Sequence, residues 1–95
     1  MDWINKIPKK DKDLAWRIID GEVVVIPLED QPKQGEKINV FNETGTAIWK
    51  LVDGKNSVAG IIKEIVHDYD VGYEKAESEV MDFLNSLYQK KLMYF

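Results

Sequence analysis

The chain has no cysteine, which excludes disulfides, thiolate metal sites and cysteine nucleophiles together. Histidine is nearly absent as well: His67 stands alone, with no second histidine to complete a metal site. No apolar run approaches the roughly 20 residues needed to cross a bilayer. Met1–Lys12 is charged throughout and leads into no apolar stretch, so nothing resembles an export signal and a cytoplasmic location is the default expectation. There is no Gly-x-x-x-x-Gly-Lys loop to cradle phosphate and no serine in a Gly-x-Ser-x-Gly turn. The acidic pairs Asp68/Asp70 and Glu77/Glu79 read as solvated helix ends. Neither catalysis, a metal nor a cofactor is expected.

What is present suits one ordinary domain: 95 residues, 44% hydrophobic and 32% charged. The net charge is −4, yet Lys6, Lys9, Lys10, Lys12 and Arg17 crowd the first seventeen positions, so the remainder is more acidic than the total. That field repels a phosphate backbone and disfavours nucleic acid.

Residues 1–13, lysine-rich and interrupted by Pro8, read as a flexible N-terminal arm in which Trp3, Ile4 and Ile7 offer some packing or binding surface. The domain proper is expected over residues 14–95. Leu14–Ile19 and Glu22–Leu28 flank Asp20-Gly21, a strong hairpin signal because type I′ turns need positive φ at both positions. Val23-Val24-Val25-Ile26 does not alternate with polar residues, so this strand needs cover on both faces or the middle place in a small sheet. After the polar connection Glu29–Gly35, Glu36–Phe41 reads as a third strand, with Ile38 and Val40 on one face and Lys37, Asn39 and Phe41 on the other. Its place in an antiparallel meander is the edge.

Phe41–Gly54 turns the chain from strands to helices. Asn42 is a natural cap, Thr44, Ile48, Leu51 and Val52 share a helical face, and Gly54 supplies a left-handed stop. Ser57 caps a second helix with an apolar stripe from Val58 to Tyr69, and Asp70–Gly72 breaks it. A third helix runs from Tyr73 to about Lys91, burying Ala76, Val80, Phe83, Leu84 and Leu87. Leu92–Phe95 either adds a short strand or tucks into the core. Gly45 and Gly60 fall inside helices, where close packing accounts for them better than a nucleotide loop. The fold class is α+β, a three-stranded antiparallel sheet followed by three helices.

An exposed sheet edge beside a long helix makes a groove for an extended peptide. Four or five strand-type hydrogen bonds at roughly 0.5–1.5 kcal/mol each barely offset an association cost of about 4–15 kcal/mol. Buried anchors at about 1.5–3 kcal/mol each must therefore select the peptide.

The assembled residues resemble the PqqD-like family. The likeness rests on Trp16-Arg17 with Asp20-Gly21, on Phe41-Asn42-Glu43-Thr44-Gly45, and on Ile48-Trp49-Lys50-Leu51-Val52-Asp53-Gly54. The helix opened by Ser57-Val58 and the ending Phe83-Leu84-Asn85-Ser86-Leu87 complete it. The resemblance implies a winged-helix-like RiPP recognition element, a peptide chaperone. Such a domain binds the leader of a ribosomally made precursor as an added strand and delivers it to a modifying enzyme, either a radical SAM enzyme or a leader peptidase with its cyclase. Carried over by position, the edge is Glu36, Lys37, Ile38, Asn39, Val40 and Phe41, and the helix wall is Glu77, Val80, Met81, Leu84 and Tyr88. Ile38, Val40, Val80 and Leu84 read equally as plain core, since a groove floor is also core. Met81 and Tyr88 flank the buried stripe and are the stronger candidates for contact.

Two other readings compete. A winged-helix DNA-binding regulator needs a basic recognition helix, whereas Tyr73–Lys91 carries Glu74, Glu77, Glu79 and Asp82. A structural subunit would use the apolar edge for assembly alone, a homodimer being the simplest form.

Overall fold

A computed structural model describes residues 3–12, 14–27 and 39–95. The elements among them are, in order, β1 (Lys9–Lys10), β2 (Leu14–Ile19), β3 (Glu22–Pro27), β4 (Asn39–Val40), α1 (Glu43–Leu51), α2 (Val58–Tyr69), α3 (Tyr73–Gln89) and β5 (Met93–Tyr94). Residues 28–38, which include the connection Glu29–Gly35 and the predicted edge residues Glu36, Lys37 and Ile38, lie outside the described residues.

β2 and β3 form a hairpin in register from Leu14↔Pro27 to Ile19↔Glu22. Asp20 and Gly21 at its tip have φ of 52° and 82°, the two positive values that a type I′ turn demands. β4 pairs antiparallel with the other side of β3, Val24 opposite Val40 and Val25 opposite Asn39, giving the order β2-β3-β4. β3 is therefore central. Val23 and Val25 are fully buried and Val24 half-buried, so the apolar run is explained by the middle position.

Asn42 starts α1, its Oδ1 accepting from the Gly45 amide at 2.8 Å. The buried face is Gly45, Thr46, Ile48 and Trp49, with Val52 at the end. Thr44 and Leu51, expected on that face, are only half-buried, because the Trp49 ring takes the interior and rotates the helix toward itself. Thr46 Oγ1 accepts from the Val23 amide at 3.0 Å and donates to the Phe41 carbonyl at 3.4 Å, fastening α1 to the sheet. Gly54 has φ of 77°, the left-handed turn after the helix. Ser57 Oγ accepts from the Gly60 amide at 3.1 Å and opens α2, which buries Val58, Ile61, Ile62 and Ile65. Asp70, at φ 50°, ends it. α3 packs across α2 through Ala76, Val80, Leu84 and Leu87. Each aliphatic side chain so enclosed contributes about 1.5–3 kcal/mol.

The expected flexible arm is corrected by the structure, since residues 3–12 are fastened to the body. Trp3 is only 6% exposed, its ring lying 5.4 Å from that of Tyr88 and 4.8 Å from that of Phe95. The carbonyls of Ile4 and Lys6 accept from the amides of Ala59 and Val58 at 2.9 Å, satisfying donors that the first turn of α2 leaves open. β1 pairs antiparallel with β5, a two-stranded ribbon apart from the main sheet. Lys10 Nζ donates to the Val52 carbonyl at 2.9 Å and lies 4.9 and 5.1 Å from the ring centres of Trp16 and Trp49. Burial holds the Lys10 ammonium below its ordinary pKa of 10.5, with the Asp53 charge opposing. Both readings of the chain's last residues hold at once: Leu92 and Met93 are buried while Met93–Tyr94 pair with β1.

Candidate functional site

The feature that a binding partner meets first is a bare sheet edge. β4 pairs with β3 on one side, and no described residue pairs with it on the other. Directly after β4, Phe41 donates its amide to the Val23 carbonyl at 2.9 Å and turns its side chain inward, 7% exposed. Its ring meets Phe83 of α3 edge-on at 4.9 Å and Trp49 at 5.5 Å. Gly45 admits this arrangement: a Cβ built there would stand 2.8 Å from Phe83 Cε1. The end of β4, the first turn of α1 and the Phe83 flank of α3 thus converge on one corner. Gly60 differs, since a Cβ there would meet Ser57 Oγ at 3.5 Å and Asn56 Oδ1 at 3.9 Å, both ordinary contacts. Its place in α2 is not set by close packing.

Of the residues read as binding groups, Asn39 and Val40 form β4 itself. Phe41 is core. Val80 and Leu84 are closed to solvent, which leaves them as floor. Glu77 and Met81 are half-buried, with Met81 packed against the core. Tyr88 is 47% exposed, and its neighbours are Trp3 and Phe95. At 3.6 residues per turn, Glu77, Met81 and Tyr88 lie roughly 120–160° around the axis from Phe83. The structure therefore does not bring these three to the corner where Phe41 meets α3. Phe83 takes that place; periodicity had shown it only as a core residue. The available signal was Gly45, a helical glycine that leaves room for a neighbour.

His67 Nδ1 stands 3.2 Å from Asp68 Oδ1 at the solvent edge. Asp53 Oδ1 accepts from the amides of Lys55 and Asn56 at 2.8 and 3.0 Å, and those bonds hold its carboxyl below the ordinary 3.8. Among the described residues no three His, Asp or Glu side chains cluster to hold a metal ion, and no helix is long and apolar enough to cross a membrane.

Comparison with known proteins bears on the family and the fold. The family of coenzyme PQQ synthesis protein D (PqqD) matches residues 22–93. The chain belongs to the PqqD family. The match takes in everything from β3 to Met93, leaving out β1, β2 and Trp3. Among solved structures, TbiB1 in complex with the TbiA(beta) leader peptide is similar at 27% identity with a TM-score of 0.75, over 90% of this chain and 93% of that one. The PqqD truncation of Methylobacterium extorquens PqqCD, a stand-alone RiPP recognition element, is similar at 21% identity with a TM-score of 0.74. That likeness covers 97% of this chain and 93% of the other, and concerns the fold. No curated protein matches this PqqD-family chain.

Proposed function

We propose that this PqqD-family protein is a non-catalytic peptide chaperone, a RiPP recognition element acting in the cytoplasm. It binds the leader of a ribosomally synthesised precursor as a further strand on the outer edge of β4. The winged-helix-like arrangement of β2-β3-β4 with the three helices then presents that leader to a modifying enzyme, a radical SAM enzyme or a leader peptidase with its cyclase. The leader is expected to contact the stretch Glu36–Phe41, of which Asn39–Val40 form β4, with Val80 and Leu84 as floor and the flank of α3 that carries Phe83 as wall. Glu77, Met81 and Tyr88 stand outside that wall.

One observation carries the reading: β4 has a backbone edge without a partner among the described residues, beside an aromatic corner. A relative at 27% identity that holds a leader peptide supports it. Edge hydrogen bonds at about 0.5–1.5 kcal/mol each supply register but little selectivity. Apolar side chains of the leader buried against the helix, at about 1.5–3 kcal/mol each, supply the choice.

The test is titration of the isotope-labelled protein with synthetic leader segments of precursor peptides. A cognate leader shifts the amides of Asn39, Val40 and Phe41 together with those around Phe83. Binding that leaves β4 unperturbed would sink the strand-addition reading.

A further inference from the structure

A second surface feature lies at the terminal ribbon, around the axis of α3 from Phe83. A cleft of about 520 Å³ opens there between the residues after β1, the end of α3 and β5, with Asp11, Lys12, Tyr88, Lys91, Met93 and Tyr94 in its lining. Two of its walls are partly exposed rings: Tyr88 is 47% and Tyr94 44% exposed. Neither ring is loose. Tyr88 is backed by Trp3 at 5.4 Å, and Tyr94 belongs to β5, with the Lys9 ammonium 5.8 Å from its ring centre.

The charge around this cleft is opposite to that of the whole chain. The protein carries a net charge of −4, yet Lys12 and Lys91 line the opening against the single carboxylate of Asp11, and Lys9 lies on Tyr94. Lys6 adds a further ammonium 5.4 Å from the ring of Phe95.

Lys91 stands in a conformation that lysine seldom takes. Its φ is 62°, and the amide of Leu92 donates to the Leu87 carbonyl at 2.9 Å, the bond that closes a helix over a left-handed residue. Glycine is the usual occupant, because a Cβ is disfavoured there. Among the described residues the other non-glycine positions with positive φ are Asp20 and Asp70, a residue type that tolerates this region far better. A cation is thus present at the rim of the cleft in a position where the backbone favours glycine.

We propose that this cleft docks an acidic protein segment bearing an apolar or aromatic residue, its carboxylates on Lys12 and Lys91 and its apolar side chain against Tyr88 and Tyr94. The occupant is a stretch of a partner protein and not the strand that adds to β4. Because the two surfaces lie on different flanks of α3, a leader at the β4 edge and an acidic segment at the ribbon fit simultaneously. Ammonium groups beside partly apolar walls suit a peptide, and the excess negative charge elsewhere on the chain opposes a nucleic acid.

A short synthetic peptide of Glu, Asp and Phe, titrated into the labelled full chain, tests this. Amide shifts are expected at Lys12, Tyr88, Lys91, Met93 and Tyr94, with Asn39–Phe41 unmoved, and binding weakens as salt rises from about 0.05 to about 0.3 M. Lys12→Glu with Lys91→Glu lowers affinity more than about tenfold, two charges being reversed at the rim. Lys91→Gly binds the peptide several-fold more weakly while its denaturation midpoint rises, separating recognition from folding. The proposal is overturned by absence of shifts at the ribbon, by shifts at Asn39–Phe41 instead, or by a Lys91→Gly variant that binds as tightly as the parent. It is overturned equally if inorganic phosphate or duplex DNA produces the same ribbon shifts at the same concentration. None of these results depends on whether a leader binds at β4.

Discussion

The Thr46 hydroxyl accepts the amide hydrogen of Val23 at 3.0 Å, deep enough that Thr46 is 4% exposed. A polar link between a helix and the central strand lies inside an apolar core. Valine at position 46 would keep the shape and remove the acceptor, leaving a buried N–H unpaired. Thr46→Val is expected to lose about 1–3 kcal/mol, the desolvation penalty of an unsatisfied donor. Thr46→Ser keeps the oxygen and should lose only about 1 kcal/mol for the missing methyl. Urea denaturation of both variants measures the difference; equal losses would mean that packing, not the hydrogen bond, matters there.

Gly45 and Phe83 are in close opposition. Alanine at position 45 gains up to about 1 kcal/mol of helix propensity, but its Cβ falls 2.8 Å from Phe83 Cε1 and 3.2 Å from Phe41 Cβ. Overpacking of that kind costs about 1–3 kcal/mol, so the steric term wins. Gly45→Ala should be less stable by up to about 2 kcal/mol on balance and should weaken leader binding through the displaced Phe83 ring. A variant more stable than the parent would show that the ring relocates freely.

The fastened N-terminal segment gives a third expectation. If Trp3 is core, Trp3→Ala removes packing against Tyr88 and Phe95 and should lose about 3–5 kcal/mol. An exposed arm residue would change stability by under about 0.5 kcal/mol. Thermal and chemical denaturation distinguish these outcomes without ambiguity.

Asp53 supplies a pH dependence. Its amide partners lower its pKa in the folded state, so its stabilising effect is complete above the ordinary value of 3.8 and fades as pH falls through the lower, folded value. Asp53→Asn should be less stable than the parent at neutral pH, and the gap should narrow on acidification below about pH 4. Denaturation midpoints followed from neutral pH to about pH 2 test it; two curves that stay parallel would remove Asp53 from the acid response.

Much of this could be read from the sequence wherever the physics is local. Asp20-Gly21 fixes its own dihedrals, and Asn42 and Ser57 reach only three residues along the chain. Legibility ended where a partner lies far away. Nothing in Lys9-Lys10 announces a strand, because what makes it one is Met93-Tyr94 at the far end of the chain. Periodicity likewise identified the buried side of α3 but not which flank meets Phe41. The choice between Phe83 and Met81 depends on how α1 and the sheet are placed, and residue spacing within one helix carries no record of that.

The ribbon also imposes a schedule. β5 is made long after β1, so Lys9–Lys10 must wait for Met93–Tyr94 to leave the ribosome. Trp3 waits with it for Tyr88 and Phe95. A nascent chain at that stage has a hairpin and its helices in hand but carries a bare indole, open to chaperones and to misplaced partners until β5 is in place.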